Sequence, residues 1–281
     1  MHRLFHVSDL HFGREDAQAI DWFRERVAAE RPDAVAITGD LTMRARHREF
    51  AAACDWILSL AAPVTVEVGN HDLPYFNLIE RFAAPYRRIR RIERLVEREI
   101  DLPGVSLVPL KTTARAQWRL DWSKGCVTPA ALRHTLAAVR TLPDPQTVLV
   151  TAHHPLVEAN TKGRALTRGG EKALAALAAA GVTAVLTGHV HDPFDLVKLT
   201  DAGPIRMIGA GTLSQRLRST PPSFNELRIG RNGLEVRVRT LGEVSQADMM
   251  IDSVPEDAEP PGPGDPVAPI AARHPRPDDP A

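Results

Sequence analysis

Short apolar runs alternate with longer amphipathic segments over the first 70 residues of the chain. The runs Arg3–Val7, Ala34–Thr38 and Val64–Val68 are short and apolar, which predicts buried strands. Between them, apolar residues recur at helical spacing from about Asp16 to Glu30 and from Arg46 to Leu60. This βαβαβ order predicts an α/β fold in which helices cover a sheet, rather than an all-α or all-β fold.

The alternation continues to about residue 240. It predicts helices over Pro129–Thr141 and Gly170–Ala180, and strands over Val105–Leu110, Thr147–Thr151, Thr183–Thr187, Ile205–Ile208, Glu226–Ile229 and Glu235–Thr240. The last two strands flank Gly230-Arg231-Asn232-Gly233, and an Asn-Gly turn is typical of a β-hairpin. The segment from Arg87 to Arg98 interleaves six arginines with apolar residues. It is interpreted as a solvated amphipathic helix or hairpin, with an anion-binding face as the alternative.

The composition changes from about Ser245 onward. Nine of the chain's 23 prolines fall between Pro255 and Pro280, with almost no aromatic or β-branched residues among them. A segment of this kind buries too little apolar surface to offset the entropy of ordering it. The sequence therefore predicts one folded domain over residues 1–244 and a disordered, proline-rich tail over residues 245–281.

Charge and cysteine content narrow the class of protein. The 281 residues contain 35 Lys and Arg and 35 Asp and Glu, so no overall field attracts nucleic acid or an anionic membrane. Cys54 and Cys126 are isolated from each other, which is typical of free thiols in a reducing compartment. The N-terminus lacks the apolar core of a signal peptide, and no apolar run approaches the roughly 18 residues of a spanning helix. These features predict a cytoplasmic protein without a membrane span.

Residues that can bind metals follow five of the predicted strands. They are Asp9 and His11 in Ser8-Asp9-Leu10-His11, Asp40 in Gly39-Asp40, Asn70, His71 and Asp72 in Gly69-Asn70-His71-Asp72, His153 and His154 before Pro155, and His189 and His191 in Gly188-His189-Val190-His191. Open α/β sheets place their ligands at the carboxyl ends of strands, which is where each cluster falls. Carboxylate, imidazole and amide donors without a thiolate suit hard to borderline divalent ions.

The local backbone in these clusters is also predicted. An extended backbone through Asp9-Leu10-His11 and His189-Val190-His191 would send both outer side chains of each triplet to the same side. Glycines 39, 69 and 188 would let the backbone turn sharply and approach the ions.

These clusters give the chain a resemblance to a known family. The motifs D-X-H, G-D, G-N-H-[DE], H-X-P and G-H-X-H occur in the order found in calcineurin-like metallophosphoesterases, over roughly residues 1–242. The compact size and the HHP and GHVH forms look most like bacterial class III cyclic nucleotide phosphodiesterases, a group that also contains glycerophosphodiesterases. The resemblance implies a four-layer αββα sandwich with two mixed sheets and a dinuclear metal centre.

The resemblance also implies roles for individual residues. One ion would take Asp9, His11 and His191, the second would take Asn70, His153 and His189, and Asp40 would bridge them. The metals would be two divalent ions among manganese, iron, zinc and cobalt. His71 would contact the phosphate and protonate the leaving group, and Asp72 would orient His71 and favour its charged form. His153 is preferred over His154 as the ligand because it stands two residues before the proline.

Substrate contacts are predicted from basic residues close to the motifs. Arg14, Lys162 and Arg164 are candidates because a phosphate ester is anionic, and His154 is a candidate at the rim of the site. Trp118 and Trp122 are interpreted as packing residues, with stacking on a nucleotide base as the alternative.

The predicted function is a metal-dependent phosphodiesterase that uses a metal-activated hydroxide on a cyclic nucleotide or a glycerophosphodiester. A phosphomonoesterase or a nucleotide pyrophosphohydrolase is the alternative, and a non-catalytic binding scaffold is the third hypothesis. The neutral charge argues against a DNA nuclease. The predicted partner is a small anionic phosphate ester, and a homodimer remains open.

Overall fold

The fold is described from a computed structural model that covers residues 1–74, 83–96, 100, 102–114, 123–143, 147–164, 167–231 and 233–243. In chain order the strands are β1 His2–Val7, β2 Ala34–Ile37, β3 Val64–Val66, β4 Val105–Pro109, β5 Thr147–Thr151, β6 Ala184–Thr187, β7 Phe194–Thr200, β8 Gly203–Gly209, β9 Ser223–Gly230 and β10 Gly233–Thr240. The helices of the described residues are α1 Ala17–Glu30, α2 His47–Ser59, α3 Arg87–Val96, α4 Pro129–Arg140 and α5 Gly170–Ala179.

The strands form two five-stranded sheets of mixed direction. The first has the order β10-β9-β1-β2-β3, and the second has the order β4-β5-β6-β8-β7. In the first sheet β1, β2 and β3 are parallel, while β9 runs antiparallel to both of its neighbours. In the second sheet β4, β5, β6 and β8 are parallel, and β7 runs antiparallel to β8. The predicted pair of mixed sheets is therefore confirmed.

The side chains of each sheet alternate between two apolar layers. Phe5 of β1 packs outward in a cluster with Phe23 of α1 and Phe50 of α2, whereas its neighbour Leu4 packs inward between the sheets. Leu149 of β5 joins the same inner cluster. Because successive strand residues point to opposite faces, the inner strands bury one face against helices and the other face against the second sheet. Burying a large apolar side chain contributes about 1.5–3 kcal/mol, so these layers hold the strand ends in place.

One element decides between two predicted forms, and another was not predicted. The arginine-rich segment forms the helix α3, with Ile89 and Ile92 buried and Arg90 exposed, so the helix rather than the hairpin is correct. The strand β7 was not predicted. Its sequence does not alternate between apolar and polar residues, because apolar residues occupy both faces of the strand. Val197 and Leu199 on the outer face are 60% and 85% exposed.

The remaining predictions are only partly covered by the described residues. The hairpin of β9 and β10 is present, although its Asn232 lies outside the described residues. Trp118, Trp122 and the tail over residues 245–281 also lie outside them, so the disorder of the tail stays a prediction. Cys54 and Cys126 are free thiols. Within the described part of the chain, no helix is both long and apolar enough to span a membrane.

Candidate metal centre

The predicted ligands from both sheets meet at one edge of the sandwich. They follow the carboxyl ends of β1, β2 and β3 in the first sheet and of β5 and β6 in the second. Four groups of potential ligand atoms lie within 4.8 Å of one another: Asp9 with His11 and His191, His11 with Asp40 and His71, Asp9 with Asp40 and His153, and His153 with His154 and His189. Main-chain contacts join the two sheets here, since the His189 amide donates to Asp9 Oδ2 at 2.7 Å. The sequence clusters therefore converge as predicted.

Asp40 lies between two groups of imidazoles. Its Oδ1 is 3.4 Å from His153 Nε2, and its Oδ2 is 3.7 Å from His11 Nε2. Asp9 Oδ1 lies 3.1 Å from His191 Nε2 and 3.6 Å from His11 Nε2. The two oxygens of Asp40 thus point to different groups, which is the arrangement that a bridging carboxylate needs.

Main-chain carbonyl groups fix which nitrogen of two imidazoles faces the centre. His153 Nδ1 donates to the Thr38 carbonyl at 2.7 Å, and His191 Nδ1 donates to the Arg216 carbonyl at 2.7 Å. A carbonyl oxygen can only accept, so Nδ1 carries the proton and the lone pair of the neutral ring is on Nε2. Hydrogen bonding of the outer ring nitrogen to a carbonyl is the usual way in which a metal-binding histidine is oriented.

Lone pairs therefore face each other across the centre. The Nε2 atoms of His153 and His191 point at Asp40 and Asp9, and Asp9 Oδ1 is buried without a hydrogen bond from any described residue. Two acceptors stabilise each other only when a proton or another cation lies between them. The donors present are carboxylate oxygen and imidazole nitrogen, which suit a divalent ion. The residues thus fit a metal centre.

The charges of these groups support the same interpretation. Burial would raise the pKa of Asp9, but the imidazoles of His191 and His11 lower it well below the usual value, and His153 does the same for Asp40. Burial would lower the pKa of His153, but the charge of Asp40 outweighs it and raises that pKa to about 9. The centre therefore holds two ionised carboxylates that attract positive charge.

The backbone of the ligands is left-handed rather than extended. The φ angles are 57° at Asp9, 48° at His11, 53° at Asp40, 71° at His189 and 61° at His191. The expectation of an extended backbone in the two triplets is therefore wrong. The left-handed conformation costs roughly 1–2 kcal/mol for a residue other than glycine.

Glycines permit the close approach of the loops. Gly39 has a φ of +95°, so it makes the turn that was predicted. Gly188 is needed for space instead, because a Cβ there would overlap Ser8 Oγ and lie 2.6 Å from Asp9 Oδ2. The loops of the two sheets therefore pack backbone against side chain at the centre.

Comparison with known proteins decides the family. The profile of the family described as calcineurin-like phosphoesterase matches residues 2–193, which is more than half of the chain. The chain belongs to the calcineurin-like phosphoesterase family. It is a metal-dependent hydrolase of phosphoric esters. A comparison with curated protein sequences finds no match.

Solved structures of related fold include phosphatases. A dimetal phosphatase from Danio rerio has 15% sequence identity and a TM-score of 0.61, over 85% of this chain and 98% of that one. The purple acid phosphatase PPD1 from yellow lupin has 14% identity and a TM-score of 0.61, over 87% and 52%. GAP50, an anchor in the inner membrane complex of Plasmodium, has 13% identity and a TM-score of 0.56, over 86% of each chain. At these identities the likeness concerns the fold.

Asp72 of this phosphoesterase does not orient His71. The Asp72 carboxylate accepts hydrogen bonds from the amides of Gly69 at 3.0 Å, Thr42 at 2.9 Å and Leu41 at 3.2 Å, and from Thr42 Oγ1 at 3.0 Å. His71 Nδ1 instead donates to the Met43 carbonyl at 2.8 Å. The expected pairing of Asp72 with the His71 ring is therefore wrong: Asp72 ties the loop after β3 to the loop after β2.

A polar cavity of about 240 Å³ opens onto the centre. Its walls include Asp40, Asn70, His71, His189 and His191. They also include four basic residues, namely Lys124, Arg164, Arg216 and Arg218. Of these, only Arg164 was predicted from the sequence. The other three lie in segments without a family motif. Arg216 and Arg218 follow the strand β8, which is parallel to β6. Because ligands bind at the carboxyl ends of parallel strands, the position of β8 is a signal that points to these two arginines.

The remaining predicted substrate contacts are placed differently. His154 is 1% exposed, and its ring contacts Thr112 Oγ1 through Nδ1 at 2.9 Å and the Ser123 carbonyl through Nε2 at 2.9 Å. Both nitrogens are used within the protein, so the predicted substrate contact of His154 is wrong. Arg14 and Lys162 are exposed and do not line the cavity, and their contact with substrate stays a prediction.

Proposed function

We propose that this phosphoesterase is a dinuclear-metal phosphodiesterase that acts on small phosphate esters, of the cyclic nucleotide or glycerophosphodiester type. The observation that carries the dinuclear assignment is Asp40, whose two oxygens lie near different imidazoles, Oδ1 near His153 and Oδ2 near His11. A carboxylate in this position holds two cations in one site.

The proposed ligand sets follow the two groups around Asp40. Asp9, His11 and His191 would hold one ion, and Asn70, His153 and His189 would hold the other. The 3.2 Å distance between Asn70 Oδ1 and His153 Nε2 supports the second set, because both atoms carry lone pairs towards the same point. Two bound divalent ions supply a nucleophile from water and neutralise charge on the phosphoryl oxygens.

His71 is proposed to act on the substrate rather than to bind an ion. Its amide donates to Asp40 Oδ1 at 2.8 Å, which fixes the residue beside the centre. Since Nδ1 is bonded to the Met43 carbonyl, Nε2 is the nitrogen that can contact the phosphate or exchange a proton with the leaving group. His71 lines the cavity, as this role requires.

The preference for diesters rests on the HHP and GHVH forms of the motifs. A phosphomonoesterase or pyrophosphohydrolase is the second candidate, and the four basic residues of the cavity favour it. A phosphomonoester carries about −1.5 to −2 charge at neutral pH, whereas the phosphate of a simple diester carries one negative charge. More basic side chains around the cavity stabilise the more highly charged ester.

A substrate panel on metal-defined protein tests the proposal. The protein is stripped of metal, reloaded separately with Mn²⁺, Fe²⁺, Zn²⁺ or Co²⁺, and its metal content is measured. Cyclic nucleotides, glycerophosphodiesters, bis(p-nitrophenyl) phosphate, p-nitrophenyl phosphate and a nucleotide pyrophosphate are then compared by kcat/KM. Two ions per chain and the highest kcat/KM on a diester are expected.

Other outcomes of the panel decide between the candidates. A higher kcat/KM on the monoester or the pyrophosphate would replace the diesterase proposal with the second candidate. A protein that binds no metal and hydrolyses none of these esters would be a binding scaffold. A cytoplasmic location is also proposed, supported by the free thiols of Cys54 and Cys126, and a homodimer is left to measurement of the mass in solution.

A further inference from the structure

The guanidinium of Arg216 contacts two histidines of the centre. Its NH1 lies 3.1 Å from His71 Nε2 and 3.2 Å from His11 Nε2, and Arg216 lines the cavity. His71 is the proposed substrate-contacting residue, so the guanidinium is next to the place where the phosphoryl group must lie. No sequence motif and no ligand set includes Arg216.

The position of Arg216 is set by its main chain rather than by its side chain. Its carbonyl accepts from His191 Nδ1 at 2.7 Å, and its amide donates to Ser214 Oγ at 3.3 Å. Ser214 Oγ contacts Thr212 Oγ1 at 2.7 Å, and Thr212 Oγ1 donates to the Asp9 carbonyl at 2.6 Å. The loop after β8 is thus fixed to the metal centre by groups that a substitution of the Arg216 side chain leaves intact.

The charge of Arg216 is not neutralised by a carboxylate. Arg206 pairs with Asp195 and Arg239 pairs with Glu30 and Glu226, as partly buried arginines usually do. For Arg216, no ion pair within 4.0 Å occurs among the described residues, and the side-chain contacts are to imidazole nitrogens. A half-buried cation held beside a site for anionic esters is available for the anion.

We propose that Arg216 is a catalytic residue that binds the phosphoryl oxygens of the substrate and stabilises the negative charge that they carry in the transition state. The inference rests on the proposed function and adds a residue to it. When a metal ion uses the single lone pair of His11 Nε2 and His71 Nε2 carries a proton to contact the substrate, neither nitrogen accepts from Arg216, and its NH1 group is available for a phosphoryl oxygen. The guanidinium has five N–H donors, so others remain for two phosphoryl oxygens at once.

Three variants separate this role from a structural one. Arg216→Gln removes the charge, Arg216→Lys keeps the charge without the planar fork, and Arg133→Gln is the matched control on the exposed face of α4. For each, the metal content, the melting temperature, kcat, KM and the inhibition constant of inorganic phosphate are measured with the same metal. Direct binding of inorganic phosphate to the metal-loaded protein is measured by calorimetry.

The expected result is a loss of rate without a loss of metal. Arg216→Gln should keep two ions, lower kcat by about 100-fold or more and weaken phosphate binding about tenfold, since removing one donor to a developing oxyanion costs about 100- to 1,000-fold. Arg216→Lys should recover part of kcat, and Arg133→Gln should match the wild type. If Arg216→Gln does not fold, the kcat and phosphate affinity of Arg216→Lys decide, because both must lie below the wild-type values.

Two results would overturn the inference. One is wild-type kcat and phosphate affinity in Arg216→Gln, and the other is loss of metal in that variant, which would make the side chain a support for the ligands. A wild-type protein that hydrolyses no ester would instead contradict the proposed function. The calorimetric comparison would then still test whether Arg216 binds a phosphate group.

Discussion

The contact between the loops after β2 and β3 is expected to exclude a single added methyl group. A Cβ on Gly69 would overlap Oδ1 and N of Asp40 and lie 2.7 Å from Asp40 Cα. These atoms belong mainly to backbone, so no change of rotamer relieves the overlap. The φ of Gly69 is outside the left-handed region, so alanine is able to adopt it, and the effect of Gly69→Ala is steric.

The size of the effect follows from the distances. Ordinary contacts of a Cβ begin at 3.4 Å, so the two loops must separate by about 1 Å or more. Overpacking of this kind costs about 1–3 kcal/mol of the free energy of unfolding. Asp40 and Asn70 are proposed to bind the same ion from these two loops, and a displacement of about 1 Å in a catalytic site lowers the rate about 100-fold.

Two other glycines provide the controls. Gly104 and Gly181 have φ angles of +78° and +77°, and nothing lies within 4 Å of a Cβ built on either. Alanine there is strained by the backbone alone, at about 1 kcal/mol, and at a distance from the centre. Urea unfolding of the metal-free proteins, metal content and kcat are measured for all three variants. We expect only Gly69→Ala to lose metal and activity.

Unfolding of Gly69→Ala at the same urea concentration as the wild type, with two ions still bound, would contradict this expectation. Such a result would mean that the two loops have room to separate without disturbing the ligands. Loss of metal in Gly104→Ala or Gly181→Ala would also refute it, because the effect would then not depend on the contact with Asp40.

Two substitutions and a change of pH are expected to alter metal binding, kcat or stability. Asp40→Asn keeps the shape of the side chain but removes its charge, so metal analysis should find fewer than two ions and kcat should fall at least about 1,000-fold; two bound ions would contradict the bridge. His71→Ala should keep both ions and lower kcat about 100-fold, whereas loss of an ion would make His71 a ligand. The free energy of unfolding of the metal-free protein should fall by up to about 3 kcal/mol as pH rises from about 6.5 to 9. The cause is the raised pKa of His153, which stays protonated in the folded state at pH values where the unfolded state has lost the proton. Metal affinity should rise over the same range, since the ion displaces that proton; urea unfolding that is independent of pH would refute the assignment.

The convergence of the candidate ligands is predictable from the sequence because it depends on strand order rather than on local conformation. Asp9, Asp40 and His153 follow strands whose apolar runs are unambiguous, and parallel strands bring their carboxyl ends to one edge. The sheet assignment needs only the alternation of apolar runs. Where the alternation is weak, as in β7 with its exposed Val197 and Leu199, the sequence does not distinguish a strand from a loop.

The geometry of the ligands is not predictable in the same way. Residues other than glycine adopt a positive φ in only a few per cent of cases, so local preference does not predict the conformations found at His11, His189 and His191. The role of Asp72 also depends on tertiary contacts, since its four donors come from two loops about 30 residues apart in the chain. Arg216 reaches the centre through a loop that follows a strand of the second sheet, and no motif marks it.

The unfavourable backbone of the ligands makes them depend on one another. The amide of His11 donates to the Asp40 carbonyl at 3.0 Å, and that of His189 donates to Asp9 Oδ2 at 2.7 Å. His11 and His189 are therefore each held by another proposed ligand, and the Asp9 carboxylate is both a proposed ligand of the first group and a support for the second. Removing the Asp9 side chain would take a proposed ligand from one ion and release the turn that carries His189, a proposed ligand of the other. The two proposed ion sites would thus form a single unit, in which the strain at His11 and His189 is offset by these contacts and, once loaded, by the cations.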